Sequence, residues 1–253
     1  MRKLIKIFRF IIAIVFIVPV MTVFCLISII LGAIFRVLHL RTLGEVVPHF
    51  ILQFVDAWIM LFLGSIVHVE GRENLPKRGE KYCFFPNHNS VIDIPAIYAT
   101  GRWPGMVAKK ELKKVPLING LLWLLHCPLI DRKSPRDAIK AIHDGTDNIE
   151  KGIPMVIFPE GTRNKEGKVA EFKAGSFKMA TRAKAKVVPV VIKNTRQTFE
   201  DAHYCGFVPI YVKILPPVDT ALMSDEEIAG LHTAVENMVR DEFEKLPAFP
   251  KRR

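Results

Sequence analysis

The chain has 253 residues, half of them apolar, with a formal net charge of +11, so it can hold one large domain, or one domain with an appendage. Its four cysteines (Cys25, Cys83, Cys127 and Cys205) are scattered with no Cys-x-x-Cys pair, which argues against a zinc site or a disulfide framework. The positive charge asks for an anionic partner, and neither a helix-turn-helix pattern nor an aromatic-interleaved basic stripe points to nucleic acid.

In chain order, Phe10 to Phe35 comes first, 26 positions without a charge. At about 1.5 Å per residue this is long enough to cross a bilayer core of about 30 Å. A secretory signal would be shorter and followed by a small-residue cleavage site, so the segment reads as a retained anchor. Pro19 allows a kink. A second apolar stretch, Phe50 to Val67, contains Gln53 and Asp56. A lone carboxylate at a bilayer centre costs at least about 2.5 kcal/mol, so this stretch reads as an interfacial or re-entrant helix packed on the first. Arg2, Lys3, Lys6 and Arg9 lie before the anchor and Arg36 and Arg41 after it, so basic residues do not choose an orientation. A hairpin dipping into the cytoplasmic leaflet and two full crossings both fit. Residues 1–69 carry six Lys/Arg and two Asp/Glu, which leaves +7 on the remainder. With an anchor attached, an anionic membrane surface is the economical partner.

The predicted boundary is at residue 65: a membrane-anchoring two-helix segment over 1–65 and a second domain over 66–253. From there short apolar runs alternate with amphipathic ones. Strands are predicted at 65–70, 81–86, 104–109, 127–131, 154–158, 186–193 and 209–215. Helices are predicted at 91–101, 111–126, 134–151 and 173–184. A last helix, 224–245, opens on the capping signature Ser224-Asp225-Glu226-Glu227. This alternation predicts an α/β fold: a mixed, largely parallel sheet of about seven strands flanked by helices.

Two polar clusters follow apolar runs and therefore sit where buried strands end, the place where ligands bind in such sheets. The first is Asn87-His88-Asn89-Ser90-Val91-Ile92-Asp93. Five residues apart, His88 and Asp93 cannot touch on one regular helix or strand. They can meet if His88 lies on a loop and a helix begins near Ser90–Asp93, with Ser90 or Asp93 as N-cap and Pro95 in the first turn. The carboxylate would then fix the imidazole tautomer and leave the other nitrogen free as a general base. The same residues also read as a plain capping box, Ser90-x-x-Asp93, beside an ordinary loop histidine. The second cluster is Phe158-Pro159-Glu160-Gly161-Thr162-Arg163. There Gly161 permits close backbone approach and Arg163 offers a planar fork suited to phosphate, although a charged glycine turn at a sheet edge has the same composition.

Together and in this order, the clusters resemble the glycerolipid acyltransferases, the lysophosphatidate acyltransferases in particular. Asn87 to Asp93 matches that family's NHxSxxD motif. Phe158 to Arg163 matches its FPEGTR motif, continued by Phe172-Lys173-Ala174-Gly175. Ile130-Asp131-Arg132 stands at the second motif's arginine, and Val187-Val188-Pro189-Val190 at the fourth motif. The resemblance covers roughly residues 66–215, with Asn164 where a serine is common. It implies transfer of a fatty acyl group from a thioester, acyl-CoA or acyl carrier protein, to the sn-2 hydroxyl of lysophosphatidate. His88 and Asp93 would be the catalytic pair. Glu160, Gly161, Thr162 and Arg163 would bind substrate, with Lys109 and Arg132 as helpers that also read as solvated surface charges. No metal or organic cofactor is implied. Ser90 lacks a G-x-S-x-G elbow and is a poor nucleophile. The expected location is a membrane surface with the catalytic domain facing the cytoplasm. Another acceptor (glycerol 3-phosphate, another lysophospholipid or a lyso-aminolipid) and a non-catalytic membrane-binding protein are the alternatives.

Overall fold

A computed structural model describes residues 15, 18–131, 133–201 and 208–249; Arg132 and Cys205 lie outside them. Helices α1 (Val18–Val37) and α2 (Arg41–Leu63) form a hairpin. Phe24 meets Phe54 at 5.5 Å between rings, and Phe35 lies against Gly44, so the two helices run antiparallel. The second helix begins at Arg41 rather than Phe50 and runs through Pro48. Its outward residues, Leu43, Val46, Phe50, Phe54, Trp58 and Leu61, are exposed and recur every three or four positions, which makes one apolar stripe. Its inward residues Leu52, Val55, Met60 and Leu63 are buried, and Asp56 is buried with them. The carboxylate that argued against an independent span therefore faces the protein.

Strands β1 (Val67–Glu70), β2 (Tyr82–Pro86), β3 (Gly105–Met106), β6 (Met155–Val156), β7 (Lys186–Lys193), β8 (Ile210–Ile214) and β9 (Val218–Asp219) form the seven-stranded sheet. Its order is β1-β8-β7-β2-β6-β3, with β9 also paired to β7. β3, β6, β2 and β7 run parallel to one another; β8 and β9 are antiparallel to β7. β4 (Ala108–Lys109) and β5 (Leu129–Ile130) make a separate parallel pair. The predicted strand 104–109 is thus two strands in two sheets. At Gly105 a Cβ would lie 2.7 Å from the Leu125 carbonyl oxygen, so only glycine lets the chain pass there before it changes partner.

Side chains alternate between two cores, as the strand period requires. Cys83, Phe85, Met155, Val187 and Val191 face helices α5 (Pro135–Glu150), α6 (Ala174–Arg182) and α8 (Asp225–Lys245). Phe84, Val156, Val188, Val190 and Ile192 face the hairpin and α3 (Asp93–Tyr98). α8 starts with the predicted capping box: the Glu227 amide donates to Ser224 Oγ, and the Ser224 amide to Glu227 Oε2. The predicted helix 111–126 is instead a 3-10 turn, Lys110–Lys114, then α4 (Pro116–Leu124). Pro116 holds Val115 extended and restarts the helix after it. Arg36 pins the hairpin tip to the end of α4: its guanidinium donates to the Leu124 carbonyl (2.9 Å) and lies 4.2 Å over the Trp123 ring.

Candidate active site

Because β2, β6, β7 and β3 are parallel, the segments that leave them all emerge at one sheet edge. His88 follows β2, Glu160 follows β6 and Thr195 follows β7, at the start of α7 (Thr195–Thr198). Pro86 ends the strand, and the Asn87 side chain extends its ladder. The Asn87 amide donates to the Ile192 carbonyl (2.9 Å) and accepts from the Ile192 amide (2.8 Å). This side-chain rung fixes where the chain leaves the sheet, one residue before His88.

His88 and Asp93 meet: Nδ1 lies 2.8 Å from Asp93 Oδ2. Asp93 is fully buried and opens α3, with Ile92 rather than Ser90 or Asp93 in the cap position and no side-chain cap. Its carboxylate turns back over the loop instead of capping forward. Oδ2 also accepts the amides of Asn89 (2.7 Å) and Ser90 (2.8 Å), and Oδ1 accepts the Thr195 hydroxyl at 2.5 Å. Four donors on one buried carboxylate hold it fixed. Nδ1 must carry the proton toward Asp93, so Nε2 presents a lone pair. The ring stacks on Phe158 with centroids 4.0 Å apart.

The second cluster closes on the first. Glu160 is buried, its Oε1 accepts the His88 amide (2.8 Å), and the Asn164 amide donates to the His88 carbonyl (2.8 Å). Glu160 Oε2 is buried with no partner in hydrogen-bond geometry among the described residues, and the Ala170 amide lies close enough to pull on the carboxylate. Burial above all, then the nearby Asp93 charge, pushes the Glu160 carboxyl up to about 7 against the pull of the His88 and Ala170 amides. Gly161 has φ +73°, and an added Cβ would stand 3.0 Å from Lys173 Nζ, so the turn after Glu160 needs glycine. Arg163 is half exposed, 3.7 Å from Glu200 Oε1. Thr162 is exposed on the same turn. Lys109, three residues past β3, is exposed and 3.4 Å from Glu111.

Two residues of the site carried no motif. Thr195 could have been found from its place just past the strand 186–193. Glu200 had no local signal: it accepts the Ser90 hydroxyl (2.6 Å) and the Val91 amide (3.1 Å), and so ties the His88 loop to Arg163. Ser90 Oγ donates to this carboxylate and accepts the Ile92 amide (3.0 Å), which makes it a structural part of the loop.

The acyltransferase family model matches residues 66–193, which contain both clusters. The chain belongs to the acyltransferase family. Among curated relatives in that family, a 1-acyl-sn-glycerol-3-phosphate acyltransferase of Saccharomyces cerevisiae is 33% identical over 75% of this chain and 64% of its own length. A protein of the same name from Borreliella burgdorferi is 28% identical, over 78% of this chain and 80% of its own. Among solved structures, the 1-acyl-sn-glycerophosphate acyltransferase PlsC of Thermotoga maritima superposes with a TM-score of 0.67 at 27% identity. That match covers 90% of this chain and 98% of the other. The family match and the fold agree with the architecture and the motif order expected from sequence.

Proposed function

We propose that this chain is a 1-acyl-sn-glycerol-3-phosphate acyltransferase, which moves a fatty acyl group from an acyl thioester to the sn-2 hydroxyl of lysophosphatidate and yields phosphatidate. The observation that supports the mechanism is the His88 imidazole, oriented through Nδ1 by a buried carboxylate, with no hydrogen bond to Nε2 among the described residues. Nε2 removes the hydroxyl proton while the oxygen attacks the thioester carbonyl. The carbonyl electrons move onto its oxygen, and the tetrahedral intermediate then expels the thiolate, which takes the proton back from the imidazolium. Asp93 holds the tautomer and stabilises the imidazolium. A thioester is already activated, so direct transfer requires neither a protein nucleophile nor a cofactor.

Arg163 binds the acceptor phosphate, which exchanges a 3.7 Å contact with Glu200 for a bidentate one. Lys109 and Arg132 supply further positive charge. Glu160, turned inward on the His88 amide, acts by holding the loop, and Gly161 and Thr162 shape the acceptor side. The hairpin sets this edge at a membrane surface, because α1 and α2 are long and apolar enough to cross a membrane. Residues 66–253 form the catalytic unit and face the cytoplasm, where acyl-CoA and acyl carrier protein are found. A lipid-facing site avoids extracting the acceptor from the bilayer, at about 0.8 kcal/mol per CH₂.

A panel of acceptors with one labelled acyl thioester tests the assignment. Lysophosphatidate should be favoured over lysophosphatidylcholine and glycerol 3-phosphate, and Arg163→Ala should erase most of the preference over lysophosphatidylcholine through KM. Equal turnover of all three would refute the acceptor assignment.

A further inference from the structure

The described residues also line an open cavity of about 350 Å³ at the opposite edge of the sheet. Tyr82, which opens β2, and Pro154, just before β6, mark that edge. Six residues of extended chain separate Tyr82 from His88, about 20 Å at roughly 3.3 Å per residue. The cavity is therefore distinct from the candidate active site.

Its two walls differ in chemistry. On the domain side stand Arg78 and Arg102, both close enough to Tyr82 to act on its hydroxyl. Arg102 Nη2 donates to the Pro76 carbonyl (2.9 Å), while Nε is buried with no hydrogen-bond partner among the described residues. A buried guanidinium donor left unpaired is costly unless a ligand completes it. The one lining carboxylate, Glu45, acts on Arg36 and is exposed on the hairpin. Trp103, stacked between Tyr98 (4.4 Å) and His49 (5.8 Å), makes a rigid interfacial wall. On the hairpin side stand Val46 and Phe50, 50% and 73% exposed. Both also belong to the outward apolar stripe of α2, so the cavity opens on the lipid-facing surface.

We propose that this cavity binds the headgroup phosphate of an anionic phospholipid of the bilayer, with Arg78 and Arg102 on the phosphate and the acyl chains along Val46 and Phe50. Guanidinium groups suit phosphate because their fork matches its oxygens, and the apolar wall has no role for a free anion. The site would hold the hairpin tip on anionic membrane, away from the chemistry.

The test is titration of the detergent-solubilised full chain with dihexanoyl phosphatidylglycerol, dihexanoyl phosphatidylcholine and inorganic phosphate. The anionic lipid should bind at least tenfold more tightly than either of the others. The double variant Arg78→Gln/Arg102→Gln should weaken it at least tenfold. Arg78→Gln alone, at an exposed position, should weaken it severalfold with Tm unchanged. Lys178→Gln/Lys184→Gln removes the same charge from exposed positions on and just after α6, across the sheet, and should change nothing. His88→Ala should also leave this affinity intact. Wild-type affinity in both arginine variants, an equal loss in the lysine control, a loss in His88→Ala, or inorganic phosphate binding as tightly as the lipid would each overturn the proposal.

Discussion

Asp93→Asn isolates the charge of the carboxylate from its shape. Asn can place its oxygen at Oδ2, where the His88 Nδ1, Asn89 and Ser90 donors converge, and its NH₂ toward Thr195, whose hydroxyl can turn and accept. The loop should therefore keep its fold, with Tm within a few degrees of wild type. The Coulomb attraction between carboxylate and imidazolium is lost. At an effective dielectric of about 20 and a separation near 4 Å between charge centres, that is about 4 kcal/mol. The attraction develops only as the proton moves, so it falls on kcat: about 10³-fold at roughly 1.4 kcal/mol per decade. KM for both substrates should stay within about threefold. The assay is thiol release from acyl-CoA with lysophosphatidate as acceptor. A well-folded variant that lost less than tenfold would refute the idea that Asp93 stabilises a transient imidazolium, as would an effect fully additive with His88→Ala.

The Glu160 carboxyl titrates near 7 in the folded protein against 4.5 for the free side chain, so its ionisation opposes folding. The penalty is absent below about pH 4.5, grows between 4.5 and 7, and is complete above 7, at about 3 kcal/mol. Glu160→Gln keeps the acceptor for the His88 amide and should flatten this fall in Tm from pH 5 to pH 8; parallel profiles for the two proteins would contradict the burial argument. Thr195→Val removes the hydroxyl that donates to Asp93 Oδ1 at nearly constant volume. It should lower kcat about tenfold with little change in KM, whereas a pure KM effect would place Thr195 on substrate instead. Phe50→Asp/Trp58→Asp puts charge on the outward stripe of α2 and leaves its buried side intact. Flotation with vesicles should fall at least tenfold without loss of folding, and undiminished flotation would show that the stripe does not face lipid.

The fold was legible where one local rule decided the element. The strand 186–193 and the capped helix 224–245 are long and strongly patterned, and both lie where periodicity and capping put them. The failures come from tertiary constraints. One apolar run, 104–109, splits because the chain changes sheet at Gly105, and 111–126 breaks because Pro116 restarts the helix. The second helix was placed from Phe50, where the apolar run begins, whereas it starts at Arg41 and runs through Pro48. At the site, the His88–Asp93 contact followed from spacing once a loop was assumed. The carboxylate's further donors did not. Thr195 lies 102 residues downstream, just past β7, and only the sheet order brings β7 beside β2. The cavity at the other edge was invisible for the same reason, since Arg78, Arg102 and Phe50 carry no common motif.

The most direct measurement is acyl-CoA-dependent phosphatidate formation from lysophosphatidate by detergent-solubilised wild type and His88→Ala. A general base should be worth about 10²–10⁴ in rate, so the variant should fall by that factor while still folded. A loss of only two- or threefold would mean that the imidazole held by Asp93 does not move the proton.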